Sequence, residues 1–143
     1  MSEKDSIKAA NEFIQKGIEA FSAKRLDEAR DFFESSLALV PDNHIALKNL
    51  ASLSAKQKRF AEAEEYLVRI SSAKHSRDSY FDLARVLLAQ GKSFGAKEAC
   101  KQALTKDPTN EKVIKFMAHV ETALGDHQAA TAIYGKIAAA APE

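Results

Sequence analysis

Thr105-Lys106-Asp107-Pro108-Thr109-Asn110 closes one apolar helical run and opens the next. Leu39-Val40-Pro41-Asp42-Asn43 does the same 67 residues earlier, and Pro142 follows Pro108 by 34. Proline cannot continue a helix, and it turns the residue before it away from helical angles. With these prolines as markers, the chain stops and restarts on a beat of about 34 residues, which sets repeats at 10–43, 44–76, 77–110 and 111–143.

Aligning the repeats brings like residues into columns. Gly17, Ala51, Ala84 and Ala118 stand at one place, and Ala29, Ala63, Ala96 and Ala130 stand twelve places further on. Such columns mark a crossing of two helices with room for a hydrogen or a methyl group only. Phe13, Leu47, Tyr80 and Ile114 form a bulky column, as do Phe33, Leu67, Cys100 and Tyr134. A further column holds Lys16, Leu50, Leu83 and Met117, with Lys16 as its outlier. Between columns, apolar residues recur at spacings of three and four, the period of an amphipathic helix. Turn signals fall at Lys24-Arg25, Lys58-Arg59, Gly91-Lys92 and Gly125-Asp126. The pattern predicts eight helices, over 5–23, 26–40, 44–57, 60–72, 77–90, 93–106, 111–124 and 127–140. Ser2 with Asp5, or Ser6 alone, is the expected cap of the first.

Composition agrees with an all-α chain. The 143 residues include 26 alanines but only 5 Gly and 3 Pro, and alanine loses least on entering a helix. Twenty-one basic residues face 20 acidic ones, which argues against a general nucleic-acid binder. No run approaches the ~20 apolar residues of a membrane span. The single cysteine, Cys100, excludes an intrachain disulfide, and a cytoplasmic setting is expected.

Catalytic chemistry finds no foothold in the sequence. His44, His75, His119 and His127 lack ligand-pair spacing, so no metal or cofactor is expected. Cys100 lies in a core column and reads as packing rather than as a nucleophile. Gly91-Lys92-Ser93 has the end of a phosphate loop, but Val86 stands where that loop needs a glycine. The charged run from Lys24 to Glu34 reads as the solvated face of a helix.

The columns resemble the tetratricopeptide repeat family, from Ala10 onward. Phe13, Gly17, Ala29, Phe33 and Pro41 carry the likeness in the first repeat, and Tyr80, Leu83, Ala84, Ala96, Ala103 and Pro108 carry it in the third. Tryptophan is absent, the family's first-helix Tyr is Ala20, Ser54, Leu87 and Glu121, and the second repeat has Ser-Ser-Ala-Lys-His-Ser over 71–76 in place of its proline. The resemblance implies one α-solenoid domain over 1–143, a right-handed superhelix with a concave groove lined by the first helix of each repeat. It implies a non-enzymatic scaffold or adaptor that binds a protein or peptide in that groove. Candidate groove residues are Ile14, Ile18 and Phe21, then Lys48 and Asn49, then Phe81 and Arg85, then Lys112, Lys115, Phe116 and His119. Isoleucine and phenylalanine among basic side chains suit a partner with apolar anchors and some acidic residues.

Family members that grip a C-terminal carboxylate do so with Lys, Asn and Arg on successive first helices. Only Asn49 fits that pattern: Ile14, Ile18, Asp78 and Asp82 occupy the other positions. Starting one repeat later gains Lys48 and Lys112 without completing the set, so a chaperone-tail clamp is not expected. At the C-terminal end, Ile133, Tyr134 and Ile137 have no following helix to cover them and are candidates for self-association, unless the natural chain continues. Homo-oligomerisation, or service as the N-terminal targeting arm of a longer enzyme, are the alternative functions.

Overall fold

A computed structural model describes residues 1–140, apart from the side chain of Ala140. It holds eight helices: α1 (Glu3–Ser22), α2 (Leu26–Leu39), α3 (His44–Lys56), α4 (Phe60–Ala73), α5 (Arg77–Ala89), α6 (Ser93–Lys106), α7 (Glu111–Ala123) and α8 (His127–Ala140). No strand occurs among the described residues. The four expected helix pairs are all present, and no boundary moves by more than two residues from its expected place. By contact the chain divides into two compact units, Met1–Ile70 and Ser71–Glu143, each holding two of the repeats.

The turn inside each repeat is the same object four times. Lys24, Lys58, Gly91 and Gly125 occupy one repeat position, and each has a left-handed backbone, with φ of 63°, 61°, 77° and 81°. In each case the next residue's N–H reaches back to the carbonyl five residues earlier. Arg25 bonds to Ala20 at 2.9 Å, Arg59 to Ser54 at 2.7 Å, Lys92 to Leu87 at 2.9 Å and Asp126 to Glu121 at 2.8 Å. This closes the orphan carbonyls at a helix end and reverses the chain. Four helix starts are capped by a single short polar side chain, whereas α2 and α6, which follow the turns inside their repeats, start without a side-chain cap. Ser2 Oγ accepts from the Asp5 amide, Asn43 Oδ1 from Ile45 and Ala46, Asn110 Oδ1 from Val113 and Asp126 Oδ1 from Ala129. Ser76 and Ser79 form a reciprocal capping box at the start of α5, which replaces the missing proline as the restart signal.

In the first unit the core gathers Ile14, Ala20, Ala29, Phe33, Ala46, Leu50 and Leu53, with Phe21, Phe32 and Tyr66 against it. Gly17 is there for space: a Cβ on it would lie 2.6, 2.8 and 2.9 Å from three ring carbons of Phe33. In the second unit the core gathers Ala84, Ala96, Cys100, Ala103, Val113, Met117 and Val120. The alanine column behaves as the periodicity requires, with Ala29, Ala63 and Ala96 wholly buried and Ala130 nearly so. Cys100 is wholly buried too, and burial pushes its thiol up to about 12.

Polar groups tie consecutive repeats together inside each unit. Arg30, on α2, sends Nη2 to Gln57 Oε1 at 2.8 Å and Ser54 Oγ at 3.2 Å, and Nη1 to Glu62 Oε2 at 3.3 Å. Lys97 holds the corresponding position on α6, and its Nζ lies 3.1 Å from Oε1 of the buried Glu121 on α7. Ser54 and Glu121 share the column in which the family carries a tyrosine, so two departures from the pattern each take part in an inter-repeat polar link.

Candidate protein-binding faces

The residues expected to line a groove lie on α1 and α3 in the first unit and on α5 and α7 in the second. Each pair presents its own face.

On α1 and α3, Phe21 is half-buried and Lys56 Nζ sits 5.5 Å from its ring centroid, a cation–π contact between the helices. Lys48 and Ile18 are exposed. Asn49 turns its amide back on its own helix, donating from Nδ2 to the Ile45 carbonyl at 2.8 Å. Ile14 departs from expectation. It was expected to face solvent, but it is 3% exposed and packs with Ala20, Phe33 and Leu50. The three-to-four spacing from Ala10 through Gly17 turns it into the hairpin core. Ile14 is therefore structural, and Ile7 and Ile18 on the same helix and Ile45 on α3 are large apolar side chains left exposed.

On α5 and α7, Phe81 and Phe116 meet edge to face, ring centroids 5.5 Å apart and planes at 88°. Both are half-buried, their inner edges against the core and their outer edges open. The Arg85 guanidinium lies 5.9 Å from the Phe81 centroid. Lys112 and Lys115 are exposed on α7, Lys115 ion-paired to Glu111 at 2.8 Å. Asp78 is paired with Arg77 at 2.8 Å, and Arg77 also reaches Asp107 at 2.8 Å. Arg77's guanidinium, helped by the Asn110 amide, holds the Asp107 carboxyl below the usual carboxylate range. His119 is exposed and sets its ring edge to face with Tyr134 on α8, centroids 6.4 Å apart.

The second helices of the repeats differ in chemistry. Asp27, Glu28, Asp31 and Glu34 are exposed along α2, as the charged run implied, and Glu62 and Glu65 are exposed on α4. Burial, with Glu34 beside it, raises the Tyr66 phenol. Sequence reasoning missed the Arg30 and Lys97 links, because each is assembled from residues 24 to 32 positions apart. The one available signal was a basic residue in the same column of repeats one and three. No group of His, Cys, Asp or Glu among the described residues has the geometry of a metal site. No helix among them is long and apolar enough to cross a membrane.

Known proteins resemble the chain over most of its length. In sequence, it is 32% identical over 103 residues to the Hsp70-Hsp90 organizing protein of Triticum aestivum. That match covers 71% of this chain and 18% of the wheat protein, so the chain spans about a fifth of the relative's length. In structure, it is similar to the first repeat domain of Spaghetti (RPAP3), solved with the HSP90 peptide SRMEEVD. The TM-score is 0.76 and identity 24%, over 83% of this chain and 95% of that one. It is similar too to MamA of Desulfovibrio magneticus RS-1, with TM-score 0.81 and 20% identity over 90% of this chain and 73% of that one. At these identities the structural likeness is one of fold. The family model described as the tetratricopeptide repeat matches residues 20–87 and 87–143. The turns, the alanine crossings and these matches agree: the chain belongs to the tetratricopeptide repeat family.

Proposed function

We propose that the chain is a protein-binding adaptor, and that the face of α5 and α7 takes a partner segment with an apolar anchor and acidic flanks. The observation that supports it best is the Phe81–Phe116 pair. Two phenylalanines bridge neighbouring first helices and keep their outer edges in water, where an apolar side chain could complete their packing. Arg85 on one side and Lys112 with Lys115 on the other supply positive charge around that anchor. Ile18, Phe21, Lys48, Asn49 and Lys56 offer a second, smaller face on the first unit.

The relatives frame the partner class without fixing it. The RPAP3 domain is bound to SRMEEVD, a peptide with an acidic end. At the family's clamp positions this chain keeps Asn49 but has the buried Ile14, the exposed Ile18, and Asp78 and Asp82 at the others. The reading is therefore of an acidic, apolar-anchored segment whose carboxyl terminus is not the gripped group.

The test is capture from a lysate of the source organism by the immobilised chain, compared with a Phe81→Ala/Phe116→Ala variant of unchanged helicity. A captured protein should be lost from that variant and weakened by Lys112→Glu/Lys115→Glu. Equal retention by all three proteins would refute this face as the binding site. Free SRMEEVD should compete weakly, and that competition should be insensitive to amidation of its C-terminus. Tight binding that amidation abolishes would replace the reading with a carboxylate clamp.

A further inference from the structure

The two phenylalanines of α5 and α7 lie between edges of opposite charge. Their contact fixes which sides of the two helices face each other. On α5, Asp78 and Asp82 fall about 60° and 100° round the helix from Phe81, at 3.6 residues per turn, on the side away from α7. On α7, Lys112 and Lys115 fall about 40° and 100° round from Phe116 in the opposite sense, on the side away from α5. The order across the face is therefore acid, phenylalanine pair, base.

The ion pairs already present leave that contrast standing. Arg77 lies 2.8 Å from Asp78 and 2.8 Å from Asp107, so one guanidinium is shared by two carboxylates. Arg85 is 3.9 Å from Asp82 and lies over the Phe81 ring. On the other edge Lys115 pairs with Glu111, while Lys112 is exposed and has no ion-pair partner among the described residues. Lys112 also stands in the first turn of α7, where the helix dipole disfavours a cation, so helix stability does not account for it.

Charge complementarity chooses the occupant. A segment acidic on both flanks would set one row of carboxylates against Asp78 and Asp82, and a segment basic on both flanks would set one row of cations against Lys112 and Lys115. A strand points its side chains in two opposed directions, whereas a helix carries an apolar stripe with a border on either hand. We infer that the face of α5 and α7 takes an amphipathic helix. Its apolar stripe seats on Phe81 and Phe116, its acidic border lies along Lys112 and Lys115, and its basic border lies along Asp78 and Asp82. This rests on the reading of α5 and α7 as the partner face and narrows its partner. The acid belongs on one flank only, and the flank that carries it sets the direction in which the helix runs.

Three labelled synthetic helices of about 18 residues, five turns, with one shared apolar stripe, serve as probes. Their borders are Glu on one side and Lys on the other, Glu on both, or Lys on both. Fluorescence anisotropy against the 143-residue chain should show the mixed helix bound about tenfold tighter than either of the others, from two surface ion pairs gained and like charges avoided. Asp78→Lys/Asp82→Lys should move the preference to the all-Glu helix, and Lys112→Glu/Lys115→Glu should move it to the all-Lys helix, each variant keeping wild-type helicity. An all-Glu or all-Lys helix bound by wild type as tightly as the mixed one would overturn the inference. So would a preference unmoved by either reversal, or no saturable binding of the mixed helix. Phe81→Ala/Phe116→Ala separates the two readings. If the all-Glu helix binds best and needs both phenylalanines, the partner face stands and only its two-edged specificity falls. Binding of the helices that ignores both phenylalanines removes the face itself.

Discussion

Gly17→Ala isolates the close packing on which each hairpin depends. Gly17 lies within α1, where alanine is favoured over glycine by about 1 kcal/mol from helix propensity alone. Propensity therefore predicts a stabilised protein. Packing predicts the opposite. The added methyl would sit 2.6 to 2.9 Å from Cε1, Cδ1 and Cζ of Phe33, well inside van der Waals contact. Phe33 is wholly enclosed by Ile14, Ala29, Leu50 and Leu53, so its ring has nowhere to swing. Overpacking of this kind costs about 1–3 kcal/mol, and the severity of the overlap places it at the upper end. The net expectation is a loss of about 1–2 kcal/mol. The second repeat supplies the rescue, because it places Ala51 and Leu67 at the same two positions. Gly17→Ala with Phe33→Leu should therefore recover much of the loss, giving a coupling of about 1–2 kcal/mol in a double-mutant cycle. The assay is urea unfolding of the four proteins followed by circular dichroism at 222 nm. A Gly17→Ala variant as stable as wild type or more so, or a cycle with no coupling, would refute the close-crossing argument.

Other expectations follow from the same structure. Lys24→Gly and Lys58→Gly relieve left-handed lysines, and each should stabilise by about 0.5–1 kcal/mol in the same assay, as Gly91 and Gly125 already do for the other two turns. Lys97→Met leaves the buried Glu121 without its partner and should cost about 2–4 kcal/mol, while Lys97→Met/Glu121→Leu should regain most of it on urea unfolding. Cys100, with its thiol raised to about 12 by burial, should resist a thiol reagent at pH 8 in the native protein and react at once in urea. Because Asp107 is held below its ordinary value of 3.8, its pairing with Arg77 contributes stability above that value and loses it as the pH falls through the lowered one. Asp107→Asn should accordingly destabilise the protein at pH 7 and converge with wild type in strong acid, as read by melting temperature.

The sequence by itself determined the repeat. A period of 34 set by prolines, a small-residue column and a left-handed turn position suffice, because each is a local or short-range constraint that a single helical hairpin imposes on its own residues. Even so, the proline-free second repeat restarts through Ser76 and Ser79, a capping box that the sequence reading did not single out. Other matters were decided by tertiary structure alone. Ile14 reads as a groove residue by position, yet the crossing of α1 with α2 and α3 encloses it. Arg30 reads as part of a solvated charged run, yet it is drawn inward because Ser54, Gln57 and Glu62 converge on it from α3, α4 and the turn between them. Phe81 and Phe116 lie 35 positions apart and become one edge-to-face platform only when α5 and α7 lie side by side. Periodicity tells which face of a helix is apolar. Which of those apolar residues is covered, and by what, depends on neighbours that the chain brings back from dozens of residues away.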